Sequence, residues 1–287
     1  MLDKISHARN RNEVFILIIT VLIIFALLYF FYGFNPYATI GLILLTLIYI
    51  RITQGQYLGT SLQISDKHFY RLKQIVEEQS KVLKIKEPKL FITLDPYPNA
   101  FTLGYKSPYS VVLNSSLVEG LTEEELEAVI AHELGHIKFN HPRITSIVNP
   151  AGQNVFILTQ IFGFWRRSTE LTADRVSLLV TENPRALITA LIKISVGTKF
   201  LEQIDEEELL KQSKMVKESI FNKSGELLLD HPYLTKRINR LLLLAKEKGL
   251  PYYKSGKMFC TNCGKEMNIS AKFCPECGFD IRKGTNL

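Results

Sequence analysis

The sequence predicts an α+β protein: an N-terminal hairpin of apolar helices, a mainly helical domain carrying a small β-sheet, and a short cysteine-bearing module at the C-terminus. Three observations carry that prediction. Two uncharged apolar runs fill most of the first fifty residues, short β-like runs broken by proline and glycine then give way to long helical patterns, and all four cysteines fall between Cys260 and Cys277. With 287 residues, 46% of them hydrophobic, one sizeable core is expected rather than two large domains. The boundaries read as 1–13 for a cytoplasmic N-terminus, 14–52 for a transmembrane hairpin, 53–250 for the main domain, 251–257 for a linker and 258–287 for the tail module. The formal charge of +7 is spread along the chain and interleaved with acids, so it identifies no partner by itself.

Val14 to Tyr32 contains no charged residue, and nineteen helical residues cover roughly 28 Å, close to the hydrocarbon thickness of a bilayer. A secretory leader would be shorter and end in a small-residue cleavage site, whereas Phe30-Phe31-Tyr32-Gly33-Phe34 follows here. A second apolar run, Tyr37 to Ile50, begins after the turn-forming Gly33-Phe34-Asn35-Pro36. Two antiparallel spans are expected, the second drawing on Ile52 and the following residues to reach the interface. Lys4, Arg9 and Arg11 precede the pair, Arg51, Lys67, Arg71 and Lys73 follow it, and the turn is uncharged, so both termini and the main domain are expected in the cytoplasm of a multi-pass cell-membrane protein. Four cysteines confined to one short segment suit the same reducing compartment.

Residues 53–85 read as a juxtamembrane helix with Ile64, Phe69, Leu72, Ile75, Val76, Val82 and Leu83 as its buried stripe. Leu90–Leu94, Ala100–Leu103 and Ser110–Leu113 read as strands of a small sheet, separated by Pro96, Pro98, Gly104 and Pro108. From Leu121 the text turns helical: Thr122 with Glu125 fits a capping box, and the helix should run to about Asn140, because Pro142 cannot continue it. Further helices are expected at Thr169–Thr181, after Asn183-Pro184, after Asp205 and from Pro232 to about Lys248.

Inside the capped helix lies His132-Glu133-Leu134-Gly135-His136. Two histidines four residues apart project from one helical face and can share one zinc ion, while Glu133, rotated about 100° from His132, is placed beside the metal as proton acceptor for an attacking water. Gly135 costs such a helix roughly 1 kcal/mol, which points to another backbone or a substrate approaching closely there. A catalytic zinc needs a third protein ligand and an open position. Glu170 is the candidate. It opens Glu170-Leu171-Thr172-Ala173-Asp174, where one carboxylate is placed to bind metal and the other to accept a hydrogen bond from a ligand imidazole. The spacing alone leaves a solvated acidic face equally open.

These residues resemble the HtpX-like and CAAX-prenyl-endopeptidase-like membrane-associated zinc metallopeptidases. His132 to His136 is similar to that family's zinc helix, Glu170 to Asp174 to its third-ligand helix, Asn99-Ala100-Phe101-Thr102-Leu103-Gly104 to its strand-and-turn segment, and Asp230-His231-Pro232 with Arg237-Ile238 to its downstream element. The resemblance implies a gluzincin-like peptidase domain with Glu170 as third ligand and Asp174 as its outer support. It also implies an extended peptide substrate along an edge strand at Asn99, Ala100 and Phe101, and a role in membrane-protein quality control, on membrane or misfolded proteins. By the same resemblance His231 stabilises the oxyanion and Arg237 orients a carboxylate; a helix-start residue and a packing residue are the plainer readings of the two. The chain departs from many such proteins in lacking two further spans, since Val155–Phe164 is too short to cross a bilayer. That stretch reads as an interfacial segment, a cover over the cleft or a core helix. His141 lies past the expected helix end and is read as non-ligating.

In the tail, Cys260-Thr261-Asn262-Cys263 and Cys274-Pro275-Glu276-Cys277 are separated by ten residues, and each pair is followed by glycine. This is zinc-ribbon spacing: Cys260, Cys263, Cys274 and Cys277 would close a four-thiolate shell around a second, structural zinc. The ribbon's partner is not legible, and nucleic acid is not the expected one. The whole chain thus reads as a membrane-anchored zinc metalloendopeptidase. The competing reading is a non-catalytic membrane adaptor that uses the ribbon to bind protein or nucleic acid, which the intact Glu133 opposes; a chamber for prenylated peptides would need more spans.

Overall fold

The computed structural model describes residues 5, 7–104, 106–148, 156–197, 212, 225, 229, 231–254, 257–259, 262–263, 265–268 and 271–280. The expected helix after Asp205 and Cys260 of the ribbon lie outside these residues. Helix α1 (Glu13–Phe34) is the one helix among the described residues that is long and apolar enough to cross a membrane, and Phe15, Leu22, Phe25 and Phe30 on it are exposed. Asn35, in an extended conformation, ends α1 and caps α2 (Pro36–Thr60), its side chain accepting from the Ala38 amide at 3.0 Å, with Pro36 in the first turn where no amide proton is needed.

The single helix expected over 53–85 is broken. Helix α2 runs on to Thr60, Leu62–Gln63 form a short strand β1, and helix α3 (Tyr70–Leu83) begins after a turn in which Ser65 and His68 exchange backbone hydrogen bonds. The break has a tertiary cause: β1 pairs antiparallel with β2 (Lys89–Thr93), and the Ile64 amide donates to the Leu90 carbonyl at 2.8 Å. Ile64, Leu72, Ile75, Val76 and Leu83 are buried as the stripe requires, but Phe69 takes a positive φ of 57° ahead of α3 and is half exposed.

With β3 (Ala100–Leu103) and β4 (Ser110–Asn114), the sheet has the order β1-β2-β4-β3, with β2 and β4 parallel and the outer pairs antiparallel. Strand β3 is therefore an edge. After the one-and-a-half turns of α4 (Ser115–Gly120) comes α5 (Glu123–Lys138), whose Thr122 cap and Glu125 make the reciprocal capping box the sequence predicts. From Glu125 to Ile137 nearly every residue of α5 is buried, the polar His132, Glu133 and His136 among them. Ile130 and Leu134 join Val111, Leu113, Leu117 and Val76 in the main core, and the sheet, α3 and α7 (Phe156–Thr181) wrap it.

Helix α7 starts well before the expected Thr169, following the short α6 (Pro142–Val148). Phe162 and Trp165 explain the extension: both are buried against Ile16, Leu17 and Ile24 of α1 and Ile144 of α6. At these two positions the stretch is a core helix and not a cover over the cleft. A second core joins Leu178 to Leu187 and Ile188 of α8 (Pro184–Val196) and to Ile238 and Leu241 of α9 (Leu234–Glu247). In the tail, β5 (Tyr252–Lys254), β6 (Lys257–Phe259) and β7 (Glu266–Asn268) form a three-stranded antiparallel sheet, so the stretch read as a linker contributes a strand.

Candidate metal centre

Helices α5 and α7 face each other across the expected site. His132 Nε2 and His136 Nε2 are 3.2 Å apart; Glu170 Oε2 is 3.4 Å from the first, and Glu170 Oε1 is 3.5 Å from the second. All three side chains are buried. Ligand atoms held at 2.0–2.1 Å by a tetrahedral zinc are separated by about 3.3–3.4 Å, so the donor set fits such an ion. Its electrostatics ask for positive charge as well. Burial alone would push the His132 imidazole down, yet the carboxylates of Asp174 and Glu170 hold it up at about 10. Burial opposes ionisation of Glu170 too, but His231, His132 and His136 bring its carboxyl well below the ordinary range.

Asp174, one turn beyond Glu170, lies 3.0 Å from His132 Nδ1 and receives a forked pair of hydrogen bonds from Arg237, Nε at 2.8 Å and Nη2 at 2.6 Å. Burial would raise its carboxyl, but the Arg237 guanidinium and His132 bring it down to about 2; Arg237, disfavoured as a cation by burial, is raised in turn by Asp174. The same arginine reaches within 3.6 Å of Glu170. His231 stands at the rim, its side chain 55% exposed, with Nδ1 3.0 Å from Glu170 Oε2.

Glu133 lines the same cleft, a cavity of about 440 Å³ that Asn99, Ala100 and Phe101 of the β3 region, His231 and Arg237 also line. Its Oε2 accepts a 2.7 Å hydrogen bond from Thr102 Oγ1. The sequence reading missed Thr102 although the segment holding it was singled out; strict alternation puts Thr102 on the face of β3 shared with Ala100, and this was the available signal. The reading also left His141 without a task. Its Nδ1 lies 2.9 Å from His136 Nδ1, on the ring edge away from His132, and burial and the neighbouring His136 push its imidazole down to about 4 against the pull of Glu13. Glu13, at the start of α1, is buried beside it.

Gly135 is explained by close approach: a Cβ there would meet Val176 Cβ at 3.0 Å and Ala173 Cα at 3.3 Å. In the tail, the sulfurs of Cys263, Cys274 and Cys277 lie within 4.8 Å of one another, with Cys263 and Cys274 3.6 Å apart. That spacing is far too long for a disulfide and near the roughly 3.8 Å edge of a tetrahedron with zinc–sulfur bonds of about 2.3 Å. Hydrogen bonds from Asn262 and the Phe279 backbone draw the Cys277 thiol down to about 6. Gly278 takes the positive φ of 69° that closes the second knuckle on the Cys274 carbonyl.

The model for peptidase family M48 matches residues 66–159 and 147–245, and that for a zinc-ribbon domain matches 259–281. The chain is 35% identical over 171 residues to the plastoglobule-localized metallopeptidase 48 of Arabidopsis thaliana, covering 55% of this chain and 49% of that protein. It is 24% identical over 289 residues to the protease HtpX homolog of Limosilactobacillus reuteri, covering 82% of this chain and 97% of that protein. It thus spans about half the length of the first relative and nearly all of the second. The crystal structure of S. mikatae Ste24p superposes with a TM-score of 0.47 at 15% identity, covering 81% of this chain and 67% of that one.

Proposed function

The chain belongs to peptidase family M48, and from that premise we propose that it is a membrane-anchored zinc endopeptidase in which Glu133 moves the proton during peptide hydrolysis. The observation that carries the reading is the convergence of two imidazole nitrogens 3.2 Å apart with a carboxylate from a separate helix, at the wall of an open cleft. His132, His136 and Glu170 would hold the catalytic zinc, and the four ribbon cysteines a structural one. When bound, the catalytic zinc lowers the pKa of a water molecule and polarises the scissile carbonyl. Glu133 accepts the proton of the attacking water and passes it to the leaving amine, while Thr102 fixes the carboxylate through its 2.7 Å hydrogen bond. Arg237 and Asp174 hold His132 in place.

Strand β3 is an edge of the sheet beside this carboxylate, with Ala100 and Phe101 only partly buried, so an extended peptide at Asn99, Ala100 and Phe101 would pair with it as an added strand. His231, exposed at the rim of the same cavity, is the candidate donor to the oxyanion as it forms. In this reading helix α1 anchors the protein and α2 returns as a second span, and the basic flanks Arg9, Arg11 and Arg51 support a catalytic domain on the cytoplasmic side. Membrane or misfolded proteins are the substrates this location favours. The adaptor reading is disfavoured, because a vestigial site has no use for a buried, hydrogen-bonded Glu133.

The test compares wild type and Glu133→Gln, purified in detergent, on a denatured test protein. Wild type is expected to cleave it and the variant to be inactive with both zinc ions retained; equal cleavage by the two overturns the reading.

A further inference from the structure

His136 has a partner behind it that the proposed reaction does not use. Its Nδ1 lies 2.9 Å from His141 Nδ1, His141 Nε2 lies 3.1 Å from Glu13 Oε1, and all three side chains are buried. Glu13 is itself fixed from both sides. Its Oε2 accepts a 2.6 Å hydrogen bond from Thr172 Oγ1, and its Oε1 accepts from Arg9 Nε at 2.8 Å. Arg9 also lies over the Phe139 ring, 5.4 Å from its centroid, and the Asn10 amide donates to Thr172 Oγ1, so Arg9 and Asn10, just ahead of α1, are docked on the domain.

The direction of each hydrogen bond follows from what each group is able to do. An ionised carboxylate only accepts, so the proton between Glu13 and His141 sits on His141 Nε2. A neutral imidazole protonated at Nε2 has its lone pair at Nδ1. The proton in the Nδ1–Nδ1 contact must then come from His136, which leaves the lone pair of His136 on Nε2. That is the atom facing His132 Nε2 and the Glu170 carboxylate. On the other side of the site, Asp174 and Arg237 serve His132; on this side, the acid at the end of the chain of contacts is the first residue of the apolar helix.

We infer that Glu13 is a positioning residue of the metal centre, acting through His141 to hold His136 in its metal-binding tautomer, so that α1 is part of the active site as well as an anchor. The inference rests on the ligand assignment proposed above. It assigns a task to a lone acid at the mouth of an apolar span, where a carboxylate without partners would be costly.

The experiment uses the full chain in detergent and measures zinc retained against increasing chelator, the ribbon's share being common to every variant. Glu13→Ala and His141→Leu are each expected to weaken retention of one zinc per chain by about ten- to a hundredfold. The double variant should lose little more than either single one, because the two residues act in series. Glu13→Asp should recover part of the loss. Wild-type zinc retention in Glu13→Ala, or additive losses in the double variant, overturns the inference. If Glu13→Ala does not fold, Thr172→Val removes one of the donors that aim the carboxylate and should weaken retention by a smaller factor; unchanged retention there also overturns it. His132→Ala and Glu170→Gln separate the two levels of argument. If neither loses zinc, the ligand assignment is wrong; if both do and the Glu13 variants do not, only the relay is wrong.

Discussion

Gly135 lies directly against Val176, so closely that a Cβ on the glycine would sit 3.0 Å from the valine Cβ. Ala173 is the other neighbour, and Glu170 and Asp174 belong to the same face of α7, so the contact that admits no side chain also sets how near Glu170, the proposed third ligand, comes to the histidines. A helix normally loses about 1 kcal/mol to such a glycine. Here the loss is offset by the approach of the two helices that build the site.

Gly135→Ala should therefore destabilise the protein by about 1–3 kcal/mol through overpacking, in spite of the better helix propensity. Thermal unfolding followed by Trp165 fluorescence would register it as a lower midpoint. Adding Val176→Ala should restore part of the loss. An alanine variant as stable as wild type, with undiminished zinc retention, would contradict the packing argument.

Thr102→Val keeps the shape of the side chain and removes the donor to Glu133. A hydrogen bond to a charged group contributes about 1.5–3 kcal/mol, so kcat should fall by roughly ten- to a hundredfold if the bond matters most in the transition state. Zinc content should not change, since Thr102 faces the proton carrier and not the proposed ligands. A shift in KM alone would assign Thr102 to substrate binding instead.

The Asp174–Arg237 pair gives a pH signature. The carboxyl of Asp174 is held down at about 2, below its ordinary value of 3.8, so its contribution to stability is complete above about pH 4.5 and is lost as the pH falls through 2. Asp174→Asn takes from a buried guanidinium its two short charged hydrogen bonds, leaving the longer 3.6 Å contact with Glu170, and should cost about 3 kcal/mol at pH 7. The gap between wild type and variant should narrow by about 1 kcal/mol between pH 5 and pH 3, and by about 2 kcal/mol by pH 2. Denaturant midpoints at three pH values would measure this; a gap that widens on acidification reverses the sign of the argument.

Cys274→Ser should remove one zinc per chain and melt the tail sheet, because a module this small draws much of its folding free energy from the metal. Cleavage of a short unstructured peptide should persist. Loss of both zinc ions from this variant would mean that the ribbon supports the catalytic domain directly.

The short-range features of this protein were written in its sequence. Two histidines four apart on a capped helix share a face whatever surrounds them, Thr122 and Glu125 form their box from local backbone geometry, and paired cysteines at ribbon spacing need little else to find one another. The apolar run opening the chain forms a helix of spanning length for the same local reason. Contacts between distant segments followed a different rule. The strand at Leu62–Gln63 exists because β2 offers it an edge, the early start of α7 because Trp165 finds α1, and the tasks of Thr102, His141 and Glu13 because folding brings residues 31 and 128 positions apart to within a hydrogen bond. Periodicity and spacing report what a segment does with its own neighbours. Which distant acid meets which buried base is decided only when the core packs and each buried polar group takes the partner left within reach.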